Sequence, residues 1–408
     1  ENYRLTQTSG TGSGTITPRH LTATFSAVQK VYDGDTALVG TKDDKGLPTI
    51  TLANRAEKDA NKDRIGVAYT GAAYASPDVT DANYVKYTGV ALTHNDAGNY
   101  VLDLTYLPGE AEKTVRGEGK ITSAQVTKAD ITTLFDPITK IYDGNTNVAY
   151  DHTGDAAYDV DYKTGDAKSK TAADFLQDGD DAASGTQSIR IKGRALTYGK
   201  DYTIAADGGA TYAGKDAGKH DVTYRFQLSG TVRRNYDFSQ VLGDNSVFSG
   251  NDLLGKTQGT ITRKTVTAAL SGVTDVIEKK AYDGKTTLPD GTDVTNRVTF
   301  RGLLAGDAQL GKVTGVYNTK DVARNADGTV GTKDVLYTPS LDGTGAANYQ
   351  LKLVSPEGAA LTSTTLTGAG QGRILPRQLG FSAGYAEKTY AIHGQPGENG
   401  VMQGYFDL

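Results

Sequence analysis

At 408 residues the chain has room for about two to four domains with cores of their own. A net charge of -5 with no local Lys/Arg cluster argues against a nucleic-acid partner. The absence of cysteine excludes disulfides, thiolate metal sites and a cysteine nucleophile.

With 50 Gly, 24 Tyr and no Trp, the composition suits many short strands joined by tight turns, so the expected fold class is mostly β. No window approaches the roughly 18 apolar residues that cross a bilayer. The opening Glu1-Asn2-Tyr3 carries neither a charged nor an apolar leader region, so any signal or anchor is expected outside this stretch.

In chain order, the first recurring element is Gly14-Thr15-Ile16-Thr17, which returns as Gly119-Lys120-Ile121-Thr122, Gly259-Thr260-Ile261-Thr262 and Gly372-Arg373-Ile374-Leu375. The second follows at Val31-Tyr32-Asp33-Gly34, Ile141-Tyr142-Asp143-Gly144 and Ala281-Tyr282-Asp283-Gly284. The third is Asn99-Tyr100, Asn235-Tyr236 and Asn348-Tyr349, after which apolar and polar residues alternate as in a strand. Asn2-Tyr3 matches this third element. The spacings are unequal, which points to loop insertions rather than identical solenoid rungs.

Taken in this order, the markers divide the chain into the tail of a preceding repeat (1–14), repeat 1 (15–119), repeat 2 (120–259), repeat 3 (260–372) and the start of a fourth, incomplete repeat (373–408). Repeat 2 is lengthened by a polar stretch from Tyr162 to Gly185, with a helical turn expected at 171–177. The last piece has Phe381 and Tyr390 but no Tyr-Asp-Gly.

Each marker has a local physical reading. In Tyr-Asp-Gly the ring covers the core at a strand end, the carboxylate accepts from following backbone amides, and Gly takes a positive φ. Asn99, Asn235 and Asn348 read as Asx-turn or left-handed residues that start a strand.

The ordered recurrence of Gly-x-Ile-Thr, Tyr-Asp-Gly and Asn-Tyr resembles the YDG and related MBG repeats of large secreted bacterial adhesins, the filamentous-haemagglutinin-like exoproteins; Tyr390 and Gly394 fit an MBG-type variant. The resemblance implies a secreted or cell-surface location and a spacer or adhesive role without chemistry.

Candidate catalytic features fall away one by one. Gly250-Asn251-Asp252-Leu253-Leu254-Gly255-Lys256-Thr257 satisfies the phosphate-loop pattern G-x-x-x-x-G-K-[ST], but that pattern works only between a buried strand and a helix N-terminus. Here Gly259 and β-branched residues follow, so a chance match is expected; Gly306–Lys312 is a near miss ending in Val313. His20, His94, His152, His220 and His393 are scattered singly, without metal-ligand or acid/base spacing. Asp178-Gly179-Asp180-Asp181 is a calcium candidate that lacks the full alternating ligand set.

The expected architecture is an elongated tandem array of β-rich domains, each an immunoglobulin-like sandwich or a β-grasp fold. The expected function is a non-catalytic stalk or adhesive segment, with no enzyme activity, cofactor or metal. Its partners are neighbouring repeats and cell-surface or polysaccharide ligands, and the end segments are expected to associate head to tail by strand addition. The alternative is a carbohydrate-binding or carbohydrate-active extracellular module, recognisable by a pocket with converging carboxylates and aromatics.

Overall fold

A computed structural model describes residues 3, 4, 6, 7, 9–38, 47–57, 64–94, 96–110, 113–153, 167–177, 188–206, 208–277, 279–305, 307, 311–382 and 384. The chain is mostly β, with 45% in strands and 7% helical, distributed over many small sheets.

One pairing scheme recurs in three stretches, 19–122, 124–262 and 264–375, and no sheet among the described residues draws strands from two of them. In each stretch the strand that begins at Asn-Tyr lies parallel to the opening strand. Arg19–Phe25 pairs Tyr100–Asp103, Ala124–Gln125 pairs Tyr236–Asp237, and Lys264–Leu270 pairs Tyr349–Leu353. The strand that leads into Tyr-Asp-Gly lies parallel to the end of the stretch, with Val28↔Gly119, Ile138↔Gly259 and Lys280↔Ile374 in register. Antiparallel neighbours complete the sheets, the longest pair being Gly218–Leu228 with Asp252–Thr262.

The expected limits at 119 and 259 fall within the paired strands Thr114–Thr122 and Asp252–Thr262, so Gly-x-Ile-Thr closes a stretch rather than opening the next. Its Ile plugs the core of the stretch it ends: Ile121, Ile261 and Ile374 are fully buried, whereas Ile16, with no strand partner among the described residues, is 98% exposed. The Gly has a steric reason. A Cβ on Gly259 would lie 2.5 Å from the Tyr212 ring and 2.6 Å from Val222, and one on Gly372 2.7 Å from the Tyr317 ring, so only Gly lets these rings lie flat on the closing strand.

Short helical turns precede each Asn-Tyr strand: Ala97–Asn99 and Ala346–Asn348 are 3-10 turns, and Gly230–Asn235 is an α-helix capped by the Ser229 hydroxyl. The expected turn in the repeat 2 insertion is present as Asp174–Gln177. Residues 162–166 and 178–185 of that insertion, including Asp178, Asp180 and Asp181, and the positions Asn2, Gly306, Tyr390, His393 and Gly394 lie outside the described residues.

Candidate functional site at the junctions between repeats

The Tyr-Asp-Gly element is built around a lysine two positions before the tyrosine. Lys30 Nζ donates to Asp33 Oδ1 (2.7 Å), Asp35 Oδ1 (2.8 Å), Asp35 O (3.0 Å) and Ala37 O (2.9 Å). Lys140 Nζ repeats this with Asp143 Oδ1 (2.7 Å), Asn145 O (2.9 Å) and Asn147 O (2.7 Å). Lys280 Nζ donates to Asp283 Oδ1 (2.8 Å) and Lys285 O (2.9 Å). Each ammonium also faces a tyrosine ring from another strand, Tyr74, Tyr212 or Tyr317, at 5.5, 5.4 and 5.5 Å.

The cage is most closed in the second copy, where the Lys140 side chain is 0% exposed against 4% for Lys30 and 9% for Lys280. Burial pushes the Lys140 pKa below the ordinary lysine value, opposed by the nearby Asp143 carboxylate. Lys280 in turn holds the Asp283 carboxyl below its ordinary value.

The turn chemistry expected of Asp and Gly is present. Asp33, Asp143 and Asp283 each accept from the amide two residues on, and Gly34, Gly144 and Gly284 have φ of 86°, 80° and 76°.

The tyrosines do something the sequence reading missed, for they meet the Asn-Tyr element of the following stretch. Tyr32 packs edge-on against Tyr236 at 5.1 Å and 80°, and Tyr142 against Tyr349 at 5.5 Å and 80°. The adjacent Asn clips the preceding stretch through both ends of its amide. Asn235 Oδ1 accepts from Val79 N (2.9 Å) while its Nδ2 donates to Asp78 Oδ1 (2.7 Å). Asn348 Oδ1 accepts from Ala217 N (2.7 Å) while its Nδ2 donates to Asp216 Oδ1 (2.9 Å).

The clipped residues sit at one position of the repeat, since Asp78 and Asp216 follow Tyr74 and Tyr212, the rings over the caged lysines, by the same four positions. Neither Asn has a positive φ, so their role is this side-chain clip rather than a left-handed turn.

Each junction adds its own contacts. At the first, Arg194 Nη1 donates to Gly34 O (3.1 Å) and the guanidinium lies over the Tyr32 ring. At the second, the hydroxyls of Tyr142 and Tyr349 both donate to Asp307 Oδ2, at 3.1 and 2.6 Å. Burial and this carboxylate push the pKa of both tyrosines up; burial pushes Tyr236 up to about 12. One apolar cluster runs through both junctions, from Phe25 to Tyr349.

The remaining candidates separate from this site. Residues 252–257 of the phosphate-loop match lie in the strand Asp252–Thr262, which has no helix after it. Thr257 Oγ1 donates to the carbonyls of Phe135 and Asp136, and Lys256 is exposed on the opposite side. His20 bonds Asp103 and His152 stacks on Tyr150, and no group of three metal-ligating side chains exists among the described residues. A cavity of about 510 Å³ in the third stretch is lined by Arg301, Thr267, Thr299, Ser355 and aliphatic neighbours, with neither an aromatic ring nor a carboxylate among them.

Comparison with known proteins gives one positive result. No curated protein matches the chain. A YDG domain is found at residues 17–107, from the entry to the first opening strand through the Asn-Tyr strand of the first stretch.

Proposed function

We propose that this chain is a non-catalytic stalk or adhesive segment of a bacterial cell-surface or secreted protein, an elongated tandem array that spaces or mediates attachment to cells, matrix or polysaccharide. The single observation that carries the reading is that both junctions are made by the same two markers: the Tyr-Asp-Gly of one repeat receives the Asn-Tyr of the next. A marker that recurs within the chain at its contacts with the next copy serves stacking, because it fixes the angle between neighbours whatever loops are inserted elsewhere. The lysine cage supports the same reading: its carboxylates are spent on an internal cation and on turn amides, and so hold a turn rather than a substrate.

Small-angle scattering of dilute protein tests the proposal. A compact single body of this length would have a radius of gyration of about 22 Å. A value well above this, with a scattering profile of a stiff rod, is expected; a profile of one compact globule would contradict it.

A further inference from the structure

The cavity of about 510 Å³ in the third repeat lies on the outward face of the sheet that opens this repeat. Val266 and Ala268 are buried in the core, so the alternate residues Thr267 and Ala269 face outward. Their cross-strand partners Arg301 and Thr299 stand beside them on that face. The turn after Leu353 walls one side, and Ala269 and Pro356 supply apolar surface. Gly302 ends the strand directly after Arg301 at a φ of 98°, where a Cβ would lie 2.6 Å from the Thr265 carbonyl oxygen.

The row of side chains across this face is cationic. Thr267 is in register with Arg301 on one side and Lys352 on the other, where the first repeat has Thr22 between Ala53 and Asp103. Arg301 and Lys352 are exposed, and neither makes a hydrogen bond, ion pair or ring contact among the described residues. No acidic side chain is among the lining residues. Glu357 lies on the same turn, but the Ser355 hydroxyl holds its carboxyl below the ordinary value. A chain of net charge -5 thus presents a concave surface of the opposite sign.

We infer that this cavity binds an acidic sugar residue, a uronic-acid unit of a polysaccharide. The Arg301 guanidinium presents parallel donors that match the two oxygens of a carboxylate, and Lys352 adds a point charge. The Thr267 hydroxyl serves the ring hydroxyls, while Ala269 and Pro356 meet the carbon face of the sugar. The volume is that of a small-ligand site. The lack of an aromatic ring or a carboxylate in the lining counts against a neutral-sugar platform or a glycosidase centre, and suits an anion. The inference rests on the adhesive reading and names a ligand class for it.

Affinity electrophoresis of the whole chain through gels containing polygalacturonate, with neutral galactan gels as reference, tests it. Retardation is expected in polygalacturonate alone. Arg301→Gln should raise the dissociation constant about tenfold or more, by loss of the charge-assisted pair. Ala269→Tyr keeps every charge and fills the floor of the cavity, and should weaken binding as much. Lys120→Gln makes the same charge change at an exposed strand position of the first repeat and should leave binding unaltered. Absence of retardation, equal retardation in both gels, binding indifferent to Ala269→Tyr, or a loss in Lys120→Gln as large as that in Arg301→Gln would each overturn the site. The stalk reading is judged separately, on the shape of the dilute particle: a rod that passes both gels unretarded removes the ligand and keeps the stalk.

Discussion

Tyr142 meets Tyr349 edge-on at 5.5 Å across 207 residues of sequence, and both hydroxyls donate to the single carboxylate oxygen Asp307 Oδ2. The arrangement has the Tyr-Asp-Gly turn of one repeat held by the residue that starts a parallel strand in the next. A turn motif is thereby also a socket, and its lysine cage keeps the socket in shape.

The cage should respond to lysine removal according to how closed it is. Lys140→Met leaves Asp143 and two carbonyls buried without their donor, and is expected to lower stability by about 3 kcal/mol. Lys280→Met, with fewer bonds and a more open site, should cost about 1 kcal/mol. Denaturant titration of the two variants checks the order; equal losses would mean that the ammonium is not what holds the turn.

Alkaline pH should open the junctions before it unfolds the repeats. Tyr236 has its folded-state pKa raised from 10.0 to about 12, so its contribution is fully present below pH 10 and is lost as pH rises from 10 to 12. Tyr142 and Tyr349 are raised in the same direction, by burial first. Phenolate absorbance should therefore lag behind that of free tyrosine, with a change in particle shape over the same interval. Titration of every tyrosine at its ordinary value with no change in shape would contradict this.

Within the phosphate-loop match, packing predicts a pattern opposite to nucleotide binding. A Cβ on Gly255 would run into the Phe135 ring and lie 2.8 Å from that of Phe226, so Gly255→Val should destabilise the second repeat by about 2 kcal/mol or more. Lys256→Ala, on the exposed side, should stay within about 0.5 kcal/mol of the original and alter no binding. Saturable ATP binding that disappears in Lys256→Ala would overturn the packing explanation.

The sequence displayed the markers, their order and the strand-rich class, because these are local: an Asp accepting from the amide two residues on and a Gly at positive φ are legible in three letters. It did not display what the markers face. Gly-x-Ile-Thr stands just before each new opening strand and reads as its start, while its parallel pairing to Val28–Val31 or Ile138–Ile141 spans about a hundred residues that no local periodicity encodes.

Lys30, Lys140 and Lys280 were present in all three copies at one spacing, but a charged residue in a strand reads as solvent-facing, and only the cage reveals it as buried. The Tyr-to-Asp spacing ending at Asp78, Asp216 and Asp321 was hidden because loops of different length follow it.

Amide hydrogen exchange at the clipped position tests the joint most directly, because Val79, Ala217 and Val322 occupy one place in three repeats and, among the described residues, only the first two donate to an Asn. In dilute protein the Val79 and Ala217 amides are expected to exchange slowly and the Val322 amide fast. Asn348→Ala should release Ala217 by about tenfold or more while leaving Val79 protected, the loss of one buried hydrogen bond at one junction. Equal exchange at all three amides, or an Ala217 amide unmoved by Asn348→Ala, would contradict the claim that Asn-Tyr and Tyr-Asp-Gly join successive repeats.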